Sequence, residues 1–395
     1  MLFSHRFSTS LLHIAGTVFL QAGGDSYGSC NLKFGIFFEL SVPRPFTPTN
    51  EALVYTNALE QIRLADELGF ATVWAVEHHF LEEYSHCSAP ELFLTAAAMQ
   101  TSNIRVGHGA VVCVPEMNHP VRIAERAAVL DILSGGRLEL GTARSSTWTE
   151  LGGFEVDPDR TKKTWDEFVR TIPRMWMQET FSHDGVCFSM PERAILPKPL
   201  QNPHPPMWVT VTSPGTELDA AERGLGCLGV ASAGFDEQER RTREYHRRIK
   251  NCEPVGAVVN DRVATLNHLF CHEDADIAAR YGGQMIGMFG LANSHLLFTR
   301  EAYPTTAYGL LANLTPSRAP ARKTIENPGE ASKLPEGVTI GDPARITSII
   351  HQWEAIGIDE INFLLNAFEH IPQAMVLDSL RLFAHEVMPQ FREKR

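Results

Sequence analysis

The sequence predicts an α/β fold: a closed barrel of eight parallel strands, each followed by a helix. Three observations lead there. From Leu32 onward short β-type runs alternate with amphipathic helical stretches, the strand candidates number eight, and no G-x-G-x-x-G follows the first of them. The alternation calls for a parallel sheet covered by helices. Eight such units close naturally on themselves, and the missing glycine fingerprint disfavours an open dinucleotide-binding sheet.

The strand candidates are residues 33–38, 72–76, 104–113, 137–141, 207–211, 227–230, part of 255–269, and 360–365. After the first, Ala58, Ile62, Ala65 and Leu68 recur at helical spacing up to Gly69, a helix-terminating residue. Pro120 sits where a first helical turn tolerates proline, with Ile123, Ala127 and Leu130 on one face and Gly135-Gly136 as the stop. Further helices are expected over 161–177, 214–223, 237–250, 275–289, 343–356 and 372–387. Two stretches break the rhythm. Residues 179–206, rich in Pro, His and Gly, read as an irregular insertion before the fifth strand. Residues 290–341 are too long for an ordinary connection and are expected to form a mobile loop or lid before the last unit. The expectation is one (β/α)8 TIM-type barrel domain over residues 31–395.

Residues 1–30 stand apart. They carry His5, Arg6, several serines and an apolar stretch over 11–20, with no acidic residue before Asp25, so they could pass for a signal or transit segment. Because the folded pattern begins only at Leu32, the preferred reading is a leader outside the barrel, disordered or wrongly joined to the chain.

A length of 395 residues with 44% hydrophobic and 21% charged content describes a globular, enzyme-sized chain with a large core. A net charge of −12 argues against a nucleic-acid groove. The one basic run, Arg240-Arg241-Thr242-Arg243 with Arg247, Arg248 and Lys250, is interleaved with Glu237, Glu239 and Glu244 and reads as a solvated helix face. Seven cysteines without any C-x-x-C give neither a disulfide framework nor zinc spacing, which fits a reducing, cytoplasmic setting. No apolar run approaches the roughly 20 residues that span a bilayer.

In a barrel of this type the active site lies at the C-terminal ends of the strands, so polar residues directly after strands carry the most weight. Glu77, His78 and His79 follow strand two. Histidine titrates near neutrality and is the first choice for an acid or base; the competing reading packs one imidazole and leaves the other in solvent. Strand four leads into Gly141-Thr142-Ala143-Arg144, and strand five into Thr212-Ser213-Pro214-Gly215-Thr216. Ser213 could cap a helix begun by Pro214, and its hydroxyl with Arg144 nearby would make a phosphate cradle. Capping serines and paired arginines are common, so the signal lies in their placement on adjacent strands. Metal is disfavoured, because the adjacent histidines of the His78, His79, His86 and Cys87 cluster point opposite ways in an extended segment. No G-x-S-x-G elbow supports a nucleophilic serine.

Several of these segments together resemble the bacterial luciferase-like, flavin-dependent monooxygenases. They are Leu68-Gly69-Phe70 through Glu77-His78-His79-Phe80, His119-Pro120-Val121-Arg122, Ser134-Gly135-Gly136-Arg137, Gly141-Thr142-Ala143-Arg144, Pro197-Lys198-Pro199 and Ala221-Glu222-Arg223-Gly224. The resemblance implies a monooxygenase that takes reduced FMN from a separate flavin reductase, with O2 and a small organic substrate (an aldehyde, ketone or other apolar metabolite), and oxidises through a flavin hydroperoxide. It implies that Arg144, Ser213 and Thr216 hold the FMN phosphate, with Thr212 beside them where the family has a glutamate. Ala110 and Val111 would lie against the flavin ring. His78 would be the acid/base residue, oriented by His79 and Glu77, and the protein would be a homodimer. Ala143 stands where the light-emitting subunit has a reactive cysteine, which puts light emission in doubt. A deazaflavin-dependent oxidoreductase on the same barrel is the main alternative, disfavoured by the Glu-His-His-Phe run. A non-catalytic flavin-binding homologue and a barrel metal hydrolase are the others.

Overall fold

The computed structural model describes residues 32–145, 147–213, 215–230, 234–297 and 334–391. In chain order the strands are β1 (Lys33–Phe38), β2 (Thr72–Ala75), β3 (Arg105–Val112), β4 (Leu138–Ala143), β5 (Phe181–Asp184), β6 (Ser189–Arg193), β7 (Met207–Val211), β8 (Gly226–Val230), β9 (Val263–Cys271), β10 (Thr339–Gly341) and β11 (Glu360–Leu364). The helices are α1 (Pro48–Leu68), α2 (Pro90–Met99), α3 (Pro120–Leu133), α4 (Trp148–Gly153), α5 (Thr161–Met177), α6 (Thr216–Glu222), α7 (Phe235–Ile249), α8 (Ala275–Leu297), α9 (Pro343–Ala355) and α10 (Gln373–Leu382). The parallel strands β1, β2, β3, β4, β7, β8, β9 and β11 pair in that order, and β11 returns to β1, closing an eight-stranded barrel of the expected (β/α)8 type.

Local chemistry explains the elements. Thr47 caps α1 by accepting from the Asn50 N–H at 3.2 Å, and Pro48 occupies the first turn. Gly69, at φ 85°, ends the helix in the left-handed region and lets the chain re-enter as β2. Every residue of β2 is buried, as a strand covered on both faces requires.

All eight predicted strands are barrel strands, most with ends shifted by a residue or two. The seventh lies at Val263–Cys271, at the end of its predicted tract and just beyond it. Differences lie elsewhere. The insertion predicted as irregular contains the antiparallel β5–β6 hairpin, whose residues apart from Phe181 are at most half-buried and so give no apolar run. Helix α2 escapes the periodicity because apolar residues stand on its outer side too: Leu92 and Met99 are exposed while Phe93, Leu94 and Ala97 are buried. Helix α8 runs beyond residue 289 to Leu297, and β10, inside the expected lid, pairs with the end of β9. Residues 298–333, the rest of that lid, and the leader over 1–30 lie outside the described residues.

The floor of the barrel, at the N-terminal strand ends, is a polar plug. Glu139 accepts from Arg105 Nε at 2.5 Å, Trp208 Nε1 at 2.7 Å and Arg262 Nη2 at 2.8 Å. Glu360 accepts from Trp74 Nε1 at 3.1 Å, and Trp74 meets Trp208 edge-on at 5.4 Å across the interior.

Candidate active site

At the opposite end, the first four strand ends bring five acidic or imidazole groups together. Glu39 directly follows β1, and Glu77, His78 and His79 follow β2. Glu150 enters from α4, just beyond β4. The loop after β2 is held in place by His78 N–H donating to the Cys87 carbonyl at 3.0 Å. His78 Nδ1 lies 2.9 Å from Glu150 Oε1, and its Nε2 lies 3.7 Å from Glu39 Oε2. Burial opposes a charge on this ring, but the carboxylate of Glu150, helped by Glu39 and Glu77, outweighs it and raises the His78 pKa to about 9. Burial raises the Glu39 carboxyl above its ordinary range, with His78 and the Tyr84 hydroxyl pulling the other way. Glu150, although burial pushes it up, is held low by His78, the His79 N–H and the Ser145 hydroxyl.

The expected orienting roles change hands. Glu77 accepts from the Val112 N–H and from Asn118 Nδ2, each at 2.7 Å, and lies 3.3 Å from His79 Nε2. It therefore ties β2 to β3 and steadies His79, while His78 takes its orientation from Glu150. Extended backbone sends adjacent side chains opposite ways, so the Glu77–His79 pair and His78 cannot share one partner side chain. His79 packs edge-on against Phe154 at 5.0 Å. His86 lies 3.2 Å from Glu51 instead. Among the described residues no three His, Cys, Asp or Glu side chains are grouped to hold an ion.

Sequence reasoning missed Glu39, Glu150 and Tyr84. Glu39 satisfies the same rule that singled out Glu77, a polar residue directly after a strand. Glu150 is the last residue of a Thr147-x-x-Glu150 capping box: Thr147 Oγ1 accepts from the Glu150 N–H at 3.2 Å. Its carboxylate, however, turns to His78, the His79 N–H and the hydroxyls of Ser145 and Thr147.

A second group gathers over β4 and β7, which pair along Leu140–Thr142 and Met207–Val209. Arg144 is the first residue past β4 and Ser213 the second past β7. Ser213 does not cap a helix at Pro214: α6 begins at Thr216 with Gly215 (φ 92°) as its cap residue and no side-chain cap bond. The turn carries Thr212 exposed and Ser213 and Thr216 half-buried. Ala110 and Val111, at the end of β3, are both buried.

A third group was not anticipated. His268 on β9 meets Phe289 of α8 edge-on at 5.1 Å, and Phe289 reaches Tyr84 at 5.5 Å, which in turn meets His78. Burial lowers the His268 pKa to about 4, so the ring is neutral, and its buried Nε2 has no hydrogen-bond partner among the described residues. Its strand was predicted only in part, so nothing in the sequence placed it at the mouth.

The model of the luciferase-like monooxygenase family matches residues 32–360. The chain belongs to that family. The oxygenase component of a flavin-dependent trigonelline monooxygenase from Acinetobacter baylyi is 25% identical over 92% of this chain and 97% of its own. Among solved structures, the monooxygenase RslO1 from Streptomyces bottropensis superposes with a TM-score of 0.74 at 25% identity, covering 91% of this chain and all 100% of that one. The oxygenating constituent of 3,6-diketocamphane monooxygenase from Pseudomonas putida, solved with FMN, follows at 0.68 and 21% identity over 91% and 98%. An F420-dependent secondary alcohol dehydrogenase gives 0.63 at 16% identity over 92% and 99%. The last two share the fold. The chain is thus an oxidoreductase of the luciferase-like monooxygenase family, with a flavin as its cofactor.

Proposed function

We propose that this chain is the oxygenase of a two-component system, taking reduced FMN from a separate reductase and using O2 to oxygenate a small, largely apolar organic substrate. The observation that carries the reading is the His78 constellation: an imidazole at the mouth, protonated at neutral pH, anchored by Glu150 on one nitrogen and open toward Glu39 on the other.

The donor set fits FMN. Arg144 with the hydroxyls of Ser213 and Thr216, and Thr212 beside them, suits a dianionic phosphate. The apolar Ala110 and Val111 suit a ring face, and two buried mouth atoms, Glu39 Oε2 and His268 Nε2, have no hydrogen-bond partner among the described residues. Reduced FMN, when bound, supplies the electrons that activate O2. The chain does the rest. Arg144, Ser213 and Thr216 fix the phosphate end, and Ala110 and Val111 exclude water from one face. His78 Nε2 holds a proton for delivery, and the Glu39 carboxyl, its pKa raised by burial, faces that nitrogen at 3.7 Å. His79 and Glu77 brace the loop that carries His78.

A homodimer is part of the proposal. It is supported by the exposed apolar side chains of α2 and α3: Leu92, Met99, Val129, Ile132 and Leu133. Among the described residues no helix is long and apolar enough to cross a membrane, and a cytoplasmic setting is proposed on composition. The substrate class follows the family resemblance.

Mixing the protein with photoreduced FMN and air, while following flavin absorbance and hydrogen peroxide release, tests the reading. The expected result is flavin reoxidation clearly slowed by the protein, and in Arg144→Ala a loss of reduced-FMN affinity of about tenfold or more. Reoxidation identical with and without protein would end the proposal. Tight binding of a reduced deazaflavin with none of FMN would favour the hydride-transfer alternative.

A further inference from the structure

We propose that Arg241 and Glu217, a buried ion pair outside the barrel wall, set the shape of the turn that receives the cofactor phosphate, and that they do so as positioning residues. The inference rests on the phosphate reading above and adds two residues that never face the mouth.

The geometry is specific. Arg241 on α7 and Glu217 on α6 each have side chains only 8% exposed. Arg241 Nη2 donates to Glu217 Oε2 at 2.9 Å and to the Ser213 carbonyl at 3.3 Å. The same Glu217 Oε2 accepts from the Gly215 N–H at 2.9 Å. One guanidinium nitrogen and one carboxylate oxygen therefore grip the backbone on both sides of position 214. The turn's own backbone adds one bond, from the Thr216 N–H to the Ser213 carbonyl at 3.2 Å. A side chain built at Gly215 would meet nothing within 4 Å, and α6 is only seven residues long. A cavity of about 30 Å³ adjoins the pair, lined by Gln238, Thr242 and Thr265, whose hydroxyl has no hydrogen-bond partner among the described residues. With space beside Gly215 and beside the pair, the turn's shape rests on its own backbone bond and on the polar bonds from behind.

The pair is neutral as a unit, so its contribution is geometric. It aims the Ser213 and Thr216 hydroxyls that the phosphate would meet. Removing Arg241 alone leaves a buried, unpaired carboxylate and is expected to destabilise the fold itself. The double variant Glu217→Gln with Arg241→Gln avoids that, because it preserves net charge and approximate volume while abolishing the ion pair.

The test is anaerobic equilibrium binding of reduced FMN and of reduced riboflavin, which lacks the phosphate, to the wild-type protein, the double variant and Arg144→Ala, with thermal melts to confirm folding. The wild type is expected to prefer FMN by about tenfold or more. The double variant is expected to lose at least about fivefold of that preference while its riboflavin affinity stays within about twofold. Equal weakening of both ligands would show a merely structural pair and overturn the proposal, as would an unchanged FMN preference. If Arg144→Ala abolishes the preference and the double variant keeps it, the phosphate reading stands and only the positioning role falls. If the wild type shows no preference, both fall together.

Discussion

The two ends of the barrel treat buried charge in opposite ways. At the floor, both oxygens of Glu139 are used, by Arg105 on one side and by Trp208 and Arg262 on the other, and Arg262 also lies over the Trp208 ring at 4.4 Å. Burial pushes the Glu139 carboxyl up, but the two guanidinium groups outweigh it and hold it below the usual range. At the mouth, Glu39 has a buried oxygen with no hydrogen bond among the described residues and burial pushes its carboxyl above the ordinary range, and His268 has a buried nitrogen that is likewise without a hydrogen bond there. A closed network stabilises; an open one is poised for a guest. This matches the division of labour in such barrels, with stability at the N-terminal face and chemistry at the C-terminal face.

The largest effect should come from opening the floor. Glu139→Gln leaves Arg105 and Arg262 without their anion, and is expected to lower unfolding free energy by about 3 kcal/mol in urea titrations. Reduced-FMN affinity of the folded protein should stay within about twofold, since the floor does not touch the mouth. A loss below about 1 kcal/mol would mean the plug is not what fastens this end.

A smaller and pH-dependent effect belongs to the mouth. In Glu150→Gln the partner that charges His78 is gone, so its pKa should fall from about 9 toward the ordinary 6.5. Histidine NMR titration reads this directly, and a wild-type value near 6.5 would remove the assignment. The sign for stability follows. A raised folded pKa stabilises fully below pH 6.5 and fades as pH climbs through about 9. Wild-type stability should therefore fall over that window by roughly 2 kcal/mol, and Glu150→Gln should flatten the slope. The floor behaves in the reverse sense: Glu139, with its pKa depressed, stabilises above its ordinary 4.5 and loses that contribution only as pH drops further. Alkaline titration thus probes the mouth and acid titration the floor.

The same contrast explains what was legible in the sequence. The barrel could be read because each barrel strand is largely buried and most of the long helices other than α2 show an apolar stripe: Ile36 or Val73 announces its environment locally. The Glu77-His78-His79 run could be found because it follows a strand. What could not be read were partnerships across long sequence distances. Glu150 reaches His78 across 72 positions, from a six-residue helix too short for a periodic signal. Glu39 reaches the same ring from another strand, and Arg241 reaches the Ser213 turn from a helix whose charges look like an ordinary solvated face. Residue type gave Ser213 a plausible capping role, yet the turn's geometry moved the helix start to Thr216. Strand ends place side chains; tertiary contacts decide which of them work together.

The smallest expected effect lies at His268. A buried imidazole nitrogen without a partner costs stability, so removing it should not harm the fold. His268→Leu, close in volume and apolar beside Phe289, is expected to leave unfolding free energy unchanged or to raise it by up to about 1 kcal/mol. Reduced-FMN affinity should be unaltered if this residue faces the organic substrate and not the cofactor. A loss above about 2 kcal/mol would show that His268 is tied into the mouth as firmly as Glu139 is into the floor, and the contrast between the two ends would no longer hold. Stability retained or gained would mark His268, three strands from His78 around the barrel, as a group kept neutral and unsatisfied for something that enters the mouth.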